Sequence, residues 1–254
     1  MDIFQSIIMG MVEGFTEFLP VSSTGHMIVT ADFLGIKQDN VTKAYEIIIQ
    51  FAAILAVVFA YKEKFTFEKI ELWKKIIVAF LPIGIIAFLF SKQIKALFSV
   101  DVVATMFIVG GVIFLIAEKI YTPKEHFIDD VEKVSYKQAL LIGCAQLAGL
   151  IPGTSRSGST ILGAMFVGLT RKASAEFAFL LALPVMSAAT GYSILKNYHE
   201  FNVDSLITLG VGFVVAFITA YLGIKLFLKF LQRYTFVSFG IYRILFGVWL
   251  LWLY

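Results

Sequence analysis

The sequence has few charged residues and almost no cysteine. Charged residues make up 15% of the 254 residues and hydrophobic residues 59%, against about 25% and 45–50% in soluble domains. The single cysteine, Cys144, excludes an internal disulfide. The start MDIFQ lacks a basic region, so we expect no cleavable signal peptide. Basic clusters with interleaved aromatic residues are also missing, so no nucleic-acid partner is predicted. This composition predicts an integral membrane protein in a lipid bilayer.

Long apolar runs predict six transmembrane helices, because a helix needs about 17–25 residues to span a bilayer. The second run is short and contains Pro82, which predicts a kink or an extension into the flanking lysines. The runs cover approximately residues 44–61, 76–90, 102–120, 175–195, 206–224 and 236–254.

Two regions break this pattern. Residues 3–35 and 138–170 each consist of two apolar pieces of about a dozen residues, separated by PVSSTG at 20–25 and PGTSRSG at 152–158. At about 1.5 Å per residue, one such piece is too short for a bilayer core of about 30 Å. We therefore predict two re-entrant hairpins, in which both half-helices return to the same side of the membrane.

A broken hairpin followed by three spans occurs twice, in residues 1–125 and 126–254 of a single membrane domain. Because each half has an odd number of spans, the second half is predicted to be inverted relative to the first. Interrupted helices at matching positions of such repeats mark a binding site near the bilayer midplane. The predicted fold is thus an all-α membrane protein with an inverted-topology repeat.

The basic residues are distributed unequally between the two sides of this predicted topology. Of the 21 lysines and arginines, Arg156 and Arg243 lie inside apolar segments, five lie on the side of the N-terminus, and the others lie opposite. The positive-inside rule therefore predicts that both termini are outside. The five residues are Lys37, Lys43, Lys92, Lys95 and Lys196.

An acidic pair, Glu13 and Glu17, lies on one predicted half-helix. Side chains four residues apart share a helix face, and ionisable residues at membrane depth are usually functional. Two adjacent acids repel each other unless a proton or a cation lies between them. The pair therefore predicts a site for a divalent cation, Mg²⁺ or Ca²⁺. The alternative is a helix at the membrane boundary whose glutamates reach water.

The first polar loop, PVSSTGH at residues 20–26, predicts a helix start that binds an anion. The proline ends one half-helix and a serine or threonine caps the next, whose free N–H groups attract negative charge. Ser23 and His26 would share a face, which suits a nucleophilic hydroxyl with a nearby base. The alternative for His26 is a purely structural role. The predicted substrate contacts here are Ser22, Thr24 and Gly25.

The second polar loop, PGTSRSGST at residues 152–160, has a similar pattern with a positive charge. Arg156 presents a planar fork that matches phosphate oxygens, and Gly158 allows a ligand to approach the backbone. The alternative is a structural ion pair between Arg156 and Glu13 or Glu17. Together the loops predict a site for a pyrophosphate attached to a lipid. The predicted substrate contacts are Gly153, which permits a tight turn, Thr154, Ser155, Ser157 and Thr160.

The segments EGFTEFLPVSSTGHM and PGTSRSGSTI resemble the two signature segments of the bacterial undecaprenyl-pyrophosphate phosphatases of the bacitracin-resistance type. The resemblance covers essentially the whole chain. It implies a bacterial cell-membrane enzyme that hydrolyses undecaprenyl pyrophosphate to undecaprenyl phosphate and inorganic phosphate, and so recycles the lipid carrier of cell-wall polymer synthesis. It also implies a divalent-cation requirement and an active site that opens outward.

The resemblance also implies roles for individual residues. The catalytic residues are expected to be Glu17, Ser23, His26 and Arg156, with Glu13 as the metal-binding or electrostatic partner of Glu17. We expect Ser23 to be the nucleophile and His26 its base or acid. Attack by water, or a phosphohistidine at His26, remains open.

Three further expectations concern function and assembly. Inverted repeats and broken helices are typical of secondary transporters, so a polyprenyl-phosphate flippase is the main alternative function. Arg243, inside the last run, is predicted to have a structural role and to pair with a backbone carbonyl or a distant acid. Gly212, Ala216 and Ala220 predict a close helix-packing face. This face packs either within the chain or against a second copy, which leaves a homodimer open.

Overall fold

The computed structural model describes residues 1–37, 39–124, 126–197 and 203–254. Within these residues the regular structure is helical, apart from one isolated β-bridge between Ile128 and Leu169. The α-helices are α1 Ile3–Glu17, α2 Ser23–Phe33, α3 Asn40–Ala60, α4 Ile70–Leu89, α5 Ser91–Ala96, α6 Val100–Ile120, α7 Tyr136–Gln146, α8 Arg156–Phe166, α9 Arg171–Asn197, α10 Val203–Leu231 and α11 Val237–Leu253.

Five segments are long and apolar enough to cross a membrane, which confirms a multi-pass helical membrane protein. They are Val41–Ala60, Phe67–Leu89, Val100–Ile120, Arg171–Lys196 and Leu206–Leu231. The second continues over Lys69 and the lysines of α4, so the short predicted run is extended, with Pro82 inside the helix. The predicted sixth run forms α11, which has 17 residues. A sixth span therefore stays a prediction.

The two predicted interruptions are present. Residues 18–22 separate α1 from α2, and residues 151–155 separate the second pair of short helices. Before the second interruption, α7 continues into the 3-10 turn Leu147–Leu150. Helix α1 has 15 residues, and α2 and α8 have 11 each, so each is shorter than a bilayer-spanning helix. The two members of each pair pack against each other.

Local features of the first broken segment recur at a constant spacing in the second. Asp2 and Ser135 both form capping boxes at a helix start. In both boxes the glutamine side chain also donates to the carbonyl that ends the following short helix, from Gln5 to Leu34 and from Gln138 to Val167, at 2.9 Å. The same spacing separates Gly35 from Gly168, which both have positive φ. The two broken segments therefore share one local design.

Each broken segment packs mainly on a long helix of the other half, α1 on α10 and α7 on α4. These helices approach so closely that the contact positions require glycine. A Cβ on Gly10 would lie 2.7 Å from the Gly212 carbonyl oxygen, and a Cβ on Gly143 would lie 2.2 Å from that of Ala79. The small-residue face of α10 thus packs within the chain, against α1. It does not supply the surface for a homodimer.

The long helices of the two halves also pair directly, α3 with α9 and α6 with α11. A buried carboxylate joins three of them at one end of the bundle. Glu118 of α6 accepts two hydrogen bonds from the Arg171 guanidinium and a third, at 2.9 Å, from the Phe236 N–H before α11. The Glu118 side chain is only 3% exposed, and these bonds compensate its buried charge.

Outside the apolar helices, Glu132 ties two connecting segments together. Its carboxylate accepts hydrogen bonds at 2.8 Å from the Nζ atoms of Lys64 and Lys69. The bond from Lys64, followed by that from Lys69, lowers the pKa of Glu132. Because the folded state favours the charged carboxylate, this contribution to stability is present above the unfolded pKa of about 4.3 and is lost as the pH falls through the lower folded value.

We predict that Gly14→Ala destabilises the protein because its Cβ would lie 2.0 Å from Thr219 Oγ1 and 2.5 Å from the Ala216 carbonyl oxygen. Overpacking of this kind costs about 1–3 kcal/mol. The matched control is Gly191→Ala, since a Cβ at Gly191 meets no atom within 4 Å. The midpoint of thermal unfolding in detergent, followed by circular dichroism, should fall for Gly14→Ala only. Equal midpoints for the two variants would contradict the close packing of α1 on α10.

Candidate active site

The two interrupted segments meet, and their polar residues form one buried cluster. Arg156 Nη2 at the start of α8 donates a hydrogen bond to Glu17 Oε1 at the end of α1. A second contact joins the loops, because Ser157 Oγ donates to the Leu19 carbonyl at 3.1 Å. The Glu17 side chain is 7% exposed and the Arg156 side chain 11%. The ion pair that was the structural alternative for Arg156 is therefore present at the predicted site.

Glu17 also contacts Ser23. The Ser23 hydroxyl donates to Glu17 Oε2 at 2.7 Å, so both carboxylate oxygens of Glu17 are used. This contact forms because Glu17 is the last residue of α1 and Ser23 the first of α2. The interruption of residues 18–22 turns the chain back on itself and brings the two helix ends together. Glu17 is thus positioned to accept the Ser23 proton.

Ser22 and Ser155 precede α2 and α8 at equivalent places, and both have positive φ values, 66° and 76°. Non-glycine residues rarely adopt this conformation, so both loops store backbone strain, which is common at functional sites. Ser155 Oγ accepts a hydrogen bond from the Gly158 N–H at 3.1 Å, as a helix cap does. The Ser22 side chain makes no such bond. The side-chain cap predicted for α2 is therefore wrong, whereas α8 has one.

Arg243 of α11 is fully buried and donates hydrogen bonds to the backbone of both loops. Its Nη1 donates to the Pro20 carbonyl at 3.0 Å, and its Nη2 donates to those of Gly153 and Met106 at 2.9 Å. Arg243 was predicted to pair with a backbone carbonyl or a distant acid, and the structure confirms the carbonyl. The sequence did not reveal that two of them belong to the two polar loops.

The glycines after each loop fit against aromatic rings of α6. A Cβ on Gly25 would lie 2.3 Å from the Phe107 ring, and a Cβ on Gly158 would lie 3.1 Å from the Phe114 ring. Both rings also lie near the Arg243 guanidinium, at 5.2 and 6.0 Å from their centroids. Aromatic packing thus accounts for the absence of a side chain at Gly25 and Gly158. Substrate contact at these glycines stays a prediction.

Gly153 lies in the second loop with φ of +88°, as expected for a tight turn. A Cβ there would lie 2.4 Å from the Val103 carbonyl oxygen, so the loop backbone packs directly against α6. Both the left-handed conformation and the close approach require glycine.

His26 has other partners than the predicted one. Its Nδ1 lies 2.8 Å from the Ser22 carbonyl oxygen and its Nε2 lies 2.6 Å from the Tyr242 hydroxyl. The ring stacks on Phe246 with centroids 4.6 Å apart. The structure therefore brings Ser23 into hydrogen-bond contact with Glu17, while His26 contacts α11.

Glu13 has no exposed surface, and neither of its carboxylate oxygens has a hydrogen-bond partner among the described residues. An unpaired buried carboxylate is costly unless a proton or a cation compensates it. Groups of three or more metal-binding side chains are absent from the described part of the chain. The unpartnered oxygens of Glu13 have the chemistry of a Mg²⁺ or Ca²⁺ ligand, whereas both oxygens of Glu17 already accept hydrogen bonds.

The remaining predicted contacts differ in how well their polar groups are satisfied. Ser155 Oγ and Ser157 Oγ lie 3.1 Å apart. Thr160 Oγ1 donates to the Arg156 carbonyl at 2.8 Å and lies 3.3 Å from Gln146 Oε1. Thr154 Oγ1 is buried and has no partner in the described structure. Among the described residues, none forms a hydrogen bond with the Thr24 hydroxyl.

The structure adds polar groups that sequence reasoning missed. Gln146 is fully buried, and its Nε2 lacks a partner among the described residues. Gln146 occupies the position in the second broken segment that Glu13 occupies in the first. An alignment of the two halves on their polar loops would have found it. Tyr242 was missed because it adjoins the site only through the packing of α11.

The fold and the site define a multi-pass helical membrane protein with an enclosed polar site between two interrupted helix pairs. Residues 6–249 match the family described as bacitracin resistance protein BacA, and the chain belongs to this family. It is 63% identical over 252 residues to the undecaprenyl-diphosphatase of Sulfurimonas denitrificans, covering 99% of this chain and 98% of that protein. The corresponding protein of Sulfurovum is 60% identical over 251 residues, with 99% of both chains covered.

We predict that Arg243→Lys loosens both polar loops, because one ammonium group cannot replace a fork that contacts three carbonyls in fixed directions. Each buried carbonyl left without a donor costs about 1–3 kcal/mol. Hydrogen–deuterium exchange should increase in residues 18–25 and also in residues 151–158. Arg233→Lys, at an exposed position, is the control. Faster exchange in one loop alone, or in neither, would contradict the bridging role of Arg243.

Proposed function

We propose that this protein hydrolyses undecaprenyl pyrophosphate to undecaprenyl phosphate and inorganic phosphate, which recycles the lipid carrier used in cell-wall polymer synthesis and confers resistance to bacitracin. One observation carries the proposal. Glu17 joins the hydroxyl of Ser23 from one loop and the guanidinium of Arg156 from the other, in a buried site. The names of the relatives agree with this activity.

Ser23 is the proposed nucleophile and Glu17 its base. Glu17 accepts the Ser23 proton while Ser23 Oγ forms a bond to the terminal phosphorus. The bond from that phosphorus to the bridging oxygen breaks, and its electron pair leaves with undecaprenyl phosphate. Water then cleaves the phosphoserine, which releases inorganic phosphate and restores the hydroxyl. The alternatives to this first step are attack on the phosphorus by water or by His26.

Arg156 stabilises the negative charge that develops on the transferring group. Its Nη1 donates to the Ala178 carbonyl at 3.1 Å and its Nη2 to Glu17, which fixes the guanidinium plane. Its Nε is buried and unpartnered in the part of the chain described. A fixed donor aimed at developing charge is worth roughly 10²–10³ in rate. The predicted contacts of Ser22, Thr24, Gly25, Gly153, Thr154, Ser155, Ser157 and Thr160 with the substrate belong to the same proposal.

Glu13 and Glu17 are the proposed ligands of a divalent cation, Mg²⁺ or Ca²⁺. The ion would offset the negative charge of the pyrophosphate when bound. The oxygens of Glu13 support this assignment because they are buried and accept no hydrogen bond from the described residues. With Arg156 already paired to Glu17, Glu13 is the acid with free oxygens.

The proposed membrane arrangement has six spans, two re-entrant hairpins and an inverted repeat, with residues 1–125 and 126–254 as the halves. The constant spacing between matching local features and the crossed packing of α1 on α10 and α7 on α4 support it. We place the protein in the bacterial cell membrane with both termini outside and the active site opening to the outer face. The uneven distribution of lysines supports this orientation.

A lipid-phosphate flippase is the second candidate function, because crossed packing of two similar halves around a central site is also typical of transporters. The contact of Ser23 with Glu17 favours chemistry, since transport does not require a hydroxyl paired with a base. An assay in detergent separates the two functions, because it has no membrane across which a lipid could move.

The proposed reaction predicts that purified protein in detergent releases phosphate from a polyprenyl pyrophosphate. Glu17→Gln, Ser23→Ala and Arg156→Ala should each reduce the rate at least about a hundredfold, because each removes the base, the nucleophile or a charge-stabilising group. His26→Ala is measured in the same series because His26 is an alternative nucleophile. The matched controls are Glu63→Gln, Ser91→Ala and Arg233→Ala, all at exposed positions. A colorimetric phosphate assay at saturating substrate measures the rates.

A wild-type protein that releases no phosphate would overturn the phosphatase and favour the flippase. A small effect of Ser23→Ala alone would transfer the nucleophilic role to His26 or water. Rapid quenching followed by mass analysis of the peptide that contains residues 18–30 then identifies any phosphorylated side chain.

The proposed cation site predicts that a chelator abolishes phosphate release and that Mg²⁺ or Ca²⁺ restores it. Glu13→Gln should raise the cation concentration needed for half-maximal activity at least about tenfold, because it removes one of two charged ligands. Glu63→Gln, at an exposed position, is the control and should leave this concentration unchanged. Full activity of chelated protein would exclude the cation, and an unchanged requirement in Glu13→Gln would exclude Glu13 as a ligand.

A further inference from the structure

Tyr242 of α11 lies against the one histidine of the site. Its hydroxyl is 2.6 Å from His26 Nε2, a short distance for a hydrogen bond between an oxygen and a nitrogen. We propose that Tyr242 is a positioning residue that holds His26 in one tautomer and one orientation for the reaction. This inference rests on the proposed phosphatase function and on His26 taking part in it.

The two contacts of the imidazole determine which nitrogen carries the proton. The Ser22 carbonyl oxygen, 2.8 Å from Nδ1, can only accept a hydrogen bond. Nδ1 therefore carries the hydrogen in the neutral ring, and Nε2 has a free electron pair. The Tyr242 hydroxyl is then the donor to Nε2. A phenylalanine at this position could not donate, and Nε2 would lose its partner.

Aromatic packing fixes the plane of the same ring. His26 stacks on Phe246 at 4.6 Å and 11°, and it lies nearly parallel to Tyr242 at 5.7 Å and 8°. Phe107 of α6 contacts the ring from another direction, with centroids 5.7 Å apart. Tyr242 and Phe246 are four residues apart on α11 and therefore share a helix face. The helix thus supplies both the stacking surface and the hydrogen bond.

The position of Tyr242 on α11 connects His26 with the two loops. The next residue, Arg243, donates to the carbonyls of Pro20 and Gly153. One turn of α11 therefore fixes both the backbone of the loops and the orientation of His26. Because the Tyr242 hydroxyl occupies the electron pair of Nε2, a proton that His26 exchanges with a reacting group would pass by way of that hydroxyl.

A purely structural role for Tyr242 makes a different prediction. The residue is 40% exposed, and tyrosines are common at membrane interfaces, where they anchor helices. An anchoring ring needs no contact with a particular nitrogen, and phenylalanine would largely replace it. The catalytic constants and the state of the His26 nitrogens distinguish the two roles.

The decisive variant is Tyr242→Phe in the full-length protein, because it removes the hydroxyl and keeps the ring. We expect kcat for phosphate release to fall about tenfold to a hundredfold, with KM changed less than about twofold. This is less than the roughly 10²–10⁴ of a group that itself transfers the proton, because Tyr242 acts through His26. Tyr234→Phe, at an exposed ring outside the site, is the matched control. Thermal melting followed by circular dichroism checks that both variants are folded.

Nuclear magnetic resonance of ¹⁵N-histidine in micelles supplies the second readout. Removal of His126 and His199 by substitution with glutamine leaves His26 as the only histidine, since the sequence has three. The wild-type spectrum should show a protonated Nδ1 and a hydrogen-bonded Nε2. In Tyr242→Phe the Nε2 resonance should move toward the position of a nitrogen without a donor, and in Tyr234→Phe it should not.

The outcomes separate this inference from the proposed function. If wild-type protein releases phosphate and Tyr242→Phe keeps its kcat, or leaves the Nε2 resonance unchanged, Tyr242 does not position His26. If wild-type protein releases none, the proposed function fails, and the role of Tyr242 in that reaction fails with it. A fall in kcat together with a shifted Nε2 resonance supports both.

Discussion

The structure depends on one buried ion pair, between Glu17 at the end of α1 and Arg156 at the start of α8. An isolated charge is very costly in an apolar bundle, and a paired charge is tolerated only with good geometry and further hydrogen bonds. Both conditions are met, because Ser23 donates to the second oxygen of Glu17 and the Ala178 carbonyl accepts from Arg156. The need to compensate these two charges holds the interrupted segments of opposite halves together. The same compensation places a hydroxyl, a base and a guanidinium in one small volume.

The pairing is unequal although the two segments share one design. Glu13 and Glu17 in the first segment correspond to Gln146 and Leu150 in the second, at one constant spacing. Arg156 in the second corresponds to Ser23 in the first. Acids on one side therefore face a guanidinium on the other, and repulsion between like charges is avoided. Arg243 then supports both loops through backbone carbonyls, which both loops possess whatever their side chains are.

The sequence predicted most of the long helices and both interruptions, because long apolar runs and prolines act locally. It also indicated the contact of Glu17 with Arg156, since two intramembrane charges of opposite sign need each other. It did not reveal the partners of His26, because Tyr242 is far away along the chain and only tertiary packing brings it near. The rings of Phe107 and Phe114 beside Gly25 and Gly158 were missed for the same reason. The positive φ at Ser22 was also unforeseen, since serine has no local preference for that conformation.

The crossed packing has a consequence for biosynthesis. Helix α1 is made first, but its glycine face packs against α10, and the Pro20 carbonyl accepts its hydrogen bond from Arg243 near the C-terminus. The contacts of α1 with α10 and of Pro20 with Arg243 can therefore form only after almost the whole polypeptide has been synthesised. A polypeptide that ends before α11 therefore lacks the hydrogen-bond donor of the Pro20 carbonyl, and its first polar loop is left without that support.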